Sequence, residues 1–298
     1  MRIVNDHARV RVPATSGNLG PGFDAMGMAH DVWDEVSVTL TTGATRVTVL
    51  GEGHETLPHD SSHLIVRVIN ETLERFGLSQ AGVALVCRNR IQQGKGLGSS
   101  AAAIVAALML VRGLVDEPEA LSNEVLLDIA TEYEGHPDNA APAIYGGATL
   151  SWSEPGGSVK TVQLKVHDSV RTSLLVPAAV LPTEKARAVL PAQVPHSDAA
   201  FEASRSALLV HALEHRPDLL FAATEDRLHQ DYRANSMPGS AKLLQALRGA
   251  GWPAVISGAG PSILLFARVD GALEQAVNAA GFQVIRSAQV GGAQLIED

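Results

Sequence analysis

The chain has 298 residues, 46% of them apolar and 18% charged, so it is long enough and apolar enough for about two folded domains rather than a disordered polypeptide. Acidic residues exceed basic ones by 9 (32 against 23), aromatics make up only 4%, and no basic run of five occurs. That argues against a nucleic-acid binder, which needs basic patches and stacking platforms, and any bound anion must find a local home in an acidic protein.

In chain order, Ala8–Val12 alternates apolar and polar residues and predicts a half-buried strand. Pro13–Asp24 (PATSGNLGPGFD) is rich in turn formers and predicts a loop. Strands are expected at Val32–Leu40, Arg46–Leu50 and Val83–Cys87. The helical spacing of Leu64, Ile65, Val68, Ile69, Leu73 and Phe76 predicts a helix ended by Gly77. His54, His59 and His63 fall in polar surroundings and are expected to be solvated. Cys87 is the only cysteine, so no intrachain disulfide forms, which suits a reducing cytosol. Its apolar neighbours make it a buried small hydrophobe rather than a catalytic thiol. Ala101–Val111 follows a glycine-rich loop and predicts a helix buried on most sides. It is the longest apolar run and too short for a bilayer span of about twenty residues. Met1–Arg9 has no apolar signal core. A cytoplasmic protein without a membrane partner is expected.

Asn123–Tyr133 predicts an amphipathic helix, Gly135–Pro142 a loop, Ala148–Trp152 a strand and Glu154–Ser158 a linker. The linker predicts domains over 1–156 and 157–298. The second half should open with strands at Val159–Val166 and Arg171–Val176, then a proline-punctuated segment, Pro177–Pro195. Helices are expected at Ser197–Glu214, Asp218–Tyr232, Ala241–Arg248 and Gly271–Ala280. Strands are expected at Val255–Ser257, Ile263–Phe266 and Gln283–Ser287. This order predicts an α+β fold with helices covering antiparallel sheets.

The strongest chemical signal is Gly94–Ser100 (GKGLGSS) opening a helix. Glycines let a backbone approach a ligand, a helix start offers unpaired N–H groups, Lys95 adds a cation, and a serine hydroxyl can ligate Mg²⁺. A flexible turn with an N-cap serine would also explain the glycines; the lysine and the serine pair favour phosphate. The spacing is neither that of a P-loop nor that of the dinucleotide fingerprint. Thr15, Ser16, Asn18 and Asp24 sit in the first polar loop. Glu132 and Glu134, just before His136, Asp138 and Asn139, could complete a hard-oxygen Mg²⁺ shell. Arg187 and Arg233 could clamp a carboxylate, or be ordinary surface arginines. Ser257–Ser262 (SGAGPS) is a tight turn or a ligand approach. His211–His215 (HALEH) matches a zinc-protease pattern short enough to arise by chance.

Taken together these motifs resemble the homoserine kinases of the GHMP superfamily of galactokinase, homoserine kinase, mevalonate kinase and phosphomevalonate kinase. Six stretches carry the resemblance in order over nearly the whole chain: VPATSGNLGPGFD (Val12–Asp24), GLGSSAAA (Gly96–Ala103), HPDNAAP (His136–Pro142), PTEKARAVLP (Pro182–Pro191), YRANSMPG (Tyr232–Gly239) and ISGAGPS (Ile256–Ser262). Two positions depart from the pattern. Gln92 stands where a proline is usual before the phosphate loop, and His63-Leu64-Ile65 replaces a common Asn-Leu-Ile near the adenine pocket.

The resemblance implies a two-domain GHMP kinase fold, with an N-terminal domain like ribosomal protein S5 and a ferredoxin-like C-terminal domain. It implies ATP-dependent phosphorylation of the side-chain hydroxyl of L-homoserine in threonine biosynthesis, with Mg²⁺, by a homodimer. Gly94, Lys95, Gly96, Leu97, Gly98, Ser99, Ser100 and Ala101 would cradle the nucleotide, and Ser100 and Glu132 would hold Mg²⁺. Asn18, Asp24 and Asn139 would contact the acceptor's amine and hydroxyl, and Arg187 and Arg233 its carboxylate. Thr183 would lie beside the reacting hydroxyl. Asp24, Asn139, Lys95 and Thr183 would form the catalytic set, with Asp24 chiefly orienting homoserine. Other kinases of the superfamily, on mevalonate or sugars, and an inactive ligand sensor are the competing readings. A zwitterion suits two arginines and an aspartate better than a sugar does.

Overall fold

The computed structural model describes residues 1–79 and 82–297. Its first sheet is organised by a long hairpin. β1 (His7–Gly17) pairs antiparallel with β2 (Met26–Thr41), from His7 opposite Thr39 to Gly17 opposite Gly27. Residues 13–17, expected in a loop, continue the strand, and β2 starts at Met26 rather than Val32. Residues 13–17 and 26–30 are buried without a break, so the alternation that marks a half-buried strand is missing there. A register shift between Pro13 and Ala14 bends the hairpin.

β3 (Arg46–Gly51) follows and pairs with the later strand β4 (Gly82–Asn89). Between them α1 (Leu64–Arg75) forms where its spacing predicts. Its N-cap is His63, whose side chain accepts from the Ile65 N–H. His63 is thereby buried, not solvated. β4 (Gly82–Asn89) is parallel to β3 and antiparallel to the far half of β2. Cys87 on β4 is fully buried, and desolvation pushes its thiol up to about 12, so it is inert as a nucleophile. α2 (Ser99–Leu114) is apolar on nearly all sides because it packs against β1, α1 and α3 (Asn123–Glu134). The predicted loop after α3 is shorter than expected, since α4 (Ala140–Tyr145) starts within it. β5 (Ala148–Ser153) pairs with the near half of β2, and β6 (Val159–Leu164) pairs with β5. The strand expected to open the second half is therefore an outer strand of the first sheet.

The second sheet begins with β7 (Thr172–Pro177). The proline-punctuated segment after it contains α5 (Thr183–Ala188), followed by α6 (His196–Glu214). The single helix expected over Asp218–Tyr232 is broken into α7 (Leu220–Ala223) and α8 (Gln230–Arg233). Between them the Asp226 carboxylate accepts the N–H groups of Leu228, His229 and Gln230, a local bonding pattern that competes with helix. α9 (Pro238–Gly249), β8 (Ala254–Ile256), β9 (Ile263–Leu265), α10 (Gly271–Ala279) and β10 (Phe282–Ser287) complete the half. The strand order is β10-β7-β9-β8, wholly antiparallel. That is the ferredoxin-like arrangement. Near the end of the chain, β11 (Gln294–Leu295) returns to pair with β1.

One apolar core joins the two halves: Leu174, Val176 and Leu264 of the second sheet belong to the same cluster as Val10, Leu108 and Val105 of the first. A smaller core under α9 and α10 holds Leu247, Val277 and Phe282. Among the described residues no helix is long and apolar enough to cross a membrane.

Candidate active site

Three loops from distant parts of the sequence meet at the start of α2. Gly94, Gly96 and Gly98 have φ of 63°, 72° and 68°, in the region L side chains avoid. The space is closed as well. A Cβ on Gly96 would lie 2.2 Å from the Ser257 carbonyl oxygen, and one on Gly98 2.0 Å from Thr15 Oγ1. Hydrogen bonds fix the junction: Thr15 N–H to Leu97 O (3.0 Å), Ser262 N–H to Lys95 O (3.1 Å) and Ser257 Oγ to Gly96 O (2.6 Å). Gly98 is the N-cap of α2 and offers no side-chain cap. The first bond back into the helix runs from Ala102 N–H to Gly98 O, which leaves the N–H groups of Ser99, Ser100 and Ala101 at an open helix end. Such an end binds phosphate.

A polar wire supports this junction. Gly96 O can only accept, so Ser257 donates to it and accepts from Ser16 Oγ at 2.6 Å. His30 Nε2–H must then donate to Ser16 Oγ (2.8 Å), and its Nδ1 accepts from Ser287 Oγ (3.1 Å). His30 is fully buried, and desolvation pulls its pKa down to about 3, which keeps it neutral.

The open helix end lies in a cleft of about 290 Å³. Its apolar lining includes Val36, Leu57, Leu64 and Ile65, with Asp34 and His63 also on the wall. Its polar lining includes Asn18, Asp138, Asn139, Thr183, Arg187 and Arg233. The cleft thus combines apolar groups, a phosphate-binding helix end and a charged cluster.

The structure places two of the sequence-derived candidates elsewhere. Glu132, expected with Ser100 at the metal position, points to the outside and pairs with Arg75 through two bonds of 2.7 and 3.0 Å. Glu134 stands at Ser100 instead, with Ser100 Oγ donating to Glu134 Oε1 at 2.6 Å. This hydroxyl and carboxylate, beside the phosphate-binding helix end, are the hard-oxygen pair that fits Mg²⁺. Lys95, expected to reach phosphate, turns away from the cleft. Its Nζ donates to the carbonyls of Pro177, Ala178 and Ala179. The Ala101 side chain is buried in α2, and only its N–H belongs to the helix end.

The charged cluster is assembled from both halves. Arg187 on α5 grips Asp24 with Nη2–Oδ1 at 2.7 Å and Nη1–Oδ2 at 3.0 Å. Arg233 on α8 is 1% exposed and far from the surface arginine its sequence context allows. Its Nη1 donates to His229 Nδ1 at 2.9 Å, and His229 Nε2–H donates to Gly20 O at 2.9 Å. Both guanidinium groups lie 5.7 Å from the Phe23 ring centre. Asn18 takes a positive φ of 67° and braces the loop, accepting from Asp24 N–H (2.9 Å) and donating to Gly258 O (3.0 Å). Asn139 Oδ1 accepts from Thr15 Oγ1 at 3.0 Å, while its Nδ2 donates to Asp138 Oδ1 at 3.1 Å.

Sequence reasoning left His136 and Asp138 without a role. Their side chains bond directly (Nδ1–Oδ1 2.5 Å), and Asp138 Oδ2 is buried without a hydrogen-bond partner. Desolvation alone would lower the His136 pKa, but the bond to Asp138 and its charge outweigh this and raise it. The His-Pro-Asp-Asn spacing is the signal that marks them. His30 carries no motif and could not have been found. His211 and His215 stack at 5.5 Å near the end of α6, and among the described residues no metal-ligating triplet forms there.

The family described as GHMP kinases N terminal domain matches residues 63–147, and GHMP kinases C terminal matches residues 204–285. A homoserine kinase of Streptomyces coelicolor is 50% identical over 263 residues, 88% of this chain and 85% of its own length. A homoserine kinase of Mycobacterium tuberculosis is 47% identical over 258 residues, 85% of this chain and 82% of its own. The crystal structure of homoserine kinase from Cytophaga hutchinsonii superimposes with a TM-score of 0.85 at 28% identity, covering 99% of both chains. A mevalonate diphosphate decarboxylase from Staphylococcus aureus shares the fold with a TM-score of 0.67 at 16% identity, over 98% of both chains.

Proposed function

The chain belongs to the homoserine kinases of the GHMP family, and on that premise we propose how its cleft moves the γ-phosphoryl group of ATP to the side-chain hydroxyl of L-homoserine, giving O-phospho-L-homoserine and ADP. The observation that carries the reading is the Asp24–Arg187 pair, with Arg233 at the same Phe23 ring, where both arginines line the cleft that holds the open end of α2. The two charges of a free amino acid match Asp24 and the arginines, whereas a sugar would leave them unsatisfied.

The apolar lining at Val36, Leu57, Leu64 and Ile65 takes the base, and the N–H groups at the start of α2 take the phosphates. Bound Mg-ATP supplies the phosphoryl group and a divalent charge that offsets its negative oxygens. Ser100 and Glu134 are the residues that hold the metal. Arg187 and Arg233 hold the acceptor carboxylate, and Asp24 holds its ammonium. Thr183 and Asn139 flank the hydroxyl. Phosphoryl transfer asks the protein mainly for alignment and for stabilisation of spread negative charge, and the helix end and its N–H groups provide the second. The cytoplasm is the compartment of this reading, since the reaction needs ATP.

An ADP-release assay with a panel of acceptors tests the assignment. ADP release with L-homoserine, and little with mevalonate or a hexose, is expected; release that ignores homoserine overturns it.

A further inference from the structure

Lys95 is the second residue of the phosphate loop and yet does not line the cleft. Its ammonium donates to three consecutive carbonyls, Pro177 O at 2.8 Å, Ala178 O at 2.5 Å and Ala179 O at 2.8 Å. An ammonium has three hydrogens, so this cage uses them all. The residue is 8% exposed, and desolvation lowers its pKa, as expected for a cation held by neutral oxygens.

Two backbone contacts reinforce the same junction. Leu181 N–H donates to Gly94 O at 2.9 Å. Gly94 packs so closely on Val180 that a Cβ there would lie 2.4 Å from Val180 Cγ1. The segment held in this way, residues 177–181, runs directly into α5, whose first residue is Thr183 and whose last turn carries Arg187. The phosphate loop and the acceptor-side helix are therefore fastened to each other at the base of the cleft. Swinging Lys95 toward a phosphate would break three charge-assisted hydrogen bonds at once.

We propose that Lys95 is a positioning residue: by caging its ammonium in the carbonyls of residues 177–179 it sets the reach between the phosphate loop and the acceptor clamp of Thr183 and Arg187. The inference rests on the reading above only in placing α5 at the acceptor. Loss of the cage should loosen α5 while leaving the helix end of α2 and its grip on nucleotide intact.

The test uses the full chain with Lys95→Met and Lys95→Arg. Steady-state kinetics are run against each substrate, and ATP affinity is measured by equilibrium binding without acceptor. For Lys95→Met, an ATP Kd within about threefold of the parent is expected, with an acceptor KM raised at least tenfold. ADP formed without phosphorylated product should also rise as a share of turnover, a signature that simple loss of stability would not give. Lys95→Arg should recover most of the acceptor KM, because a guanidinium can still donate to the same carbonyls. A tenfold loss of ATP affinity with acceptor KM unchanged would mean that Lys95 contacts phosphate, and would overturn the proposal. So would a Lys95→Met enzyme with parental constants. Should Lys95→Met fail to fold, Val180→Ala probes the same junction through its contact with Gly94: a rise confined to acceptor KM supports the proposal and unchanged constants overturn it. If the parent enzyme proves to use another acceptor, the same selective rise is expected in that acceptor's KM, so failure of the substrate reading is distinguishable from failure of this one.

Discussion

Arg187 and Asp24 meet through two parallel N–H···O bonds although 163 positions separate them in sequence. One comes from the turn between β1 and β2, the other from α5 of the second half. The pair is only part-buried, so it is accessible to a ligand that offers better partners. An amino acid inserted between them gives Arg187 a carboxylate and Asp24 an ammonium, and no charge is left unmatched.

Asp24→Asn should therefore damage acceptor binding more than chemistry. The expected result is a homoserine KM raised ten- to a hundredfold with kcat changed by less than about threefold, the range for losing one charge-assisted bond. The preference for homoserine over 4-hydroxybutanoate, which lacks the ammonium, should shrink in parallel. A collapse of kcat at constant KM would instead give Asp24 the role of proton acceptor.

Two glutamates on the last turn of α3 should behave in opposite ways. Glu134→Gln removes the carboxylate bonded to Ser100, so the Mg²⁺ concentration for half-maximal rate should rise by about tenfold or more and kcat should fall. Glu132→Gln breaks only a surface pair with Arg75, in which Glu132 is 58% exposed. Its Mg²⁺ dependence should match the parent, and its stability should stay within about 0.5 kcal/mol. Magnesium titrations of the two variants, with thermal unfolding of each, separate the positions.

That choice was legible in the helix phase. Leu126, Leu127, Ile129 and Ala130 form the buried face of α3, and Glu134 is four residues beyond Ala130, whereas Glu132 falls on the opposite side. The phosphate loop was legible too, since glycine spacing and a helix start are local properties. Arg187 and Arg233 were named from motifs, but their pairing needs Phe23 and His229 in place. The direction of Lys95 was not legible, because its three carbonyls lie more than eighty positions later and backbone oxygens carry no side-chain signature. Residues 13–17, expected in a loop, lie in a strand for a related reason. Strands buried on both faces lose the period that announces them.

Alanine substitutions in the loop should distinguish backbone from side-chain crowding. At Gly98 the new Cβ would strike Thr15 Oγ1, a side-chain atom that can move only by giving up its bond to Asn139 Oδ1. At Gly96 it would strike the Ser257 carbonyl, which belongs to a turn held by its own hydrogen bonds. Both sites add the penalty of a positive φ, of order 1 kcal/mol. Gly96→Ala should therefore lose more, with ATP affinity falling about a hundredfold or more against about tenfold for Gly98→Ala. Equilibrium ATP binding beside circular dichroism checks this. An equal effect at both sites would mean that strain, not the neighbour, dominates.

His30 makes a signed prediction about pH. Its folded pKa of about 3 lies below the ordinary imidazole value of about 6.5, so between these values the unfolded chain binds a proton that the folded chain refuses. Folding stability from this group is complete above pH 6.5 and is lost as pH falls toward 3, at up to about 1.4 kcal/mol per pH unit. Two carboxyls work the other way. Desolvation raises Glu202 to about 8, with Asp226 adding to it, and raises Asp34 to about 6. Their contribution is present at low pH and lost as pH rises through those values. The total stability curve of the parent therefore mixes opposing slopes, and only a difference against a variant isolates His30. His30→Gln keeps an amide donor for Ser16 but cannot titrate. Urea unfolding of both proteins at pH 7, 6 and 5 should show the parent's advantage shrinking as pH falls, by about 1.4 kcal/mol for each unit once below 6.5. A constant difference across the series would mean that the imidazole is charged, or water-exposed, in the folded protein, and that the Ser16–Ser257 wire does not depend on its neutral tautomer.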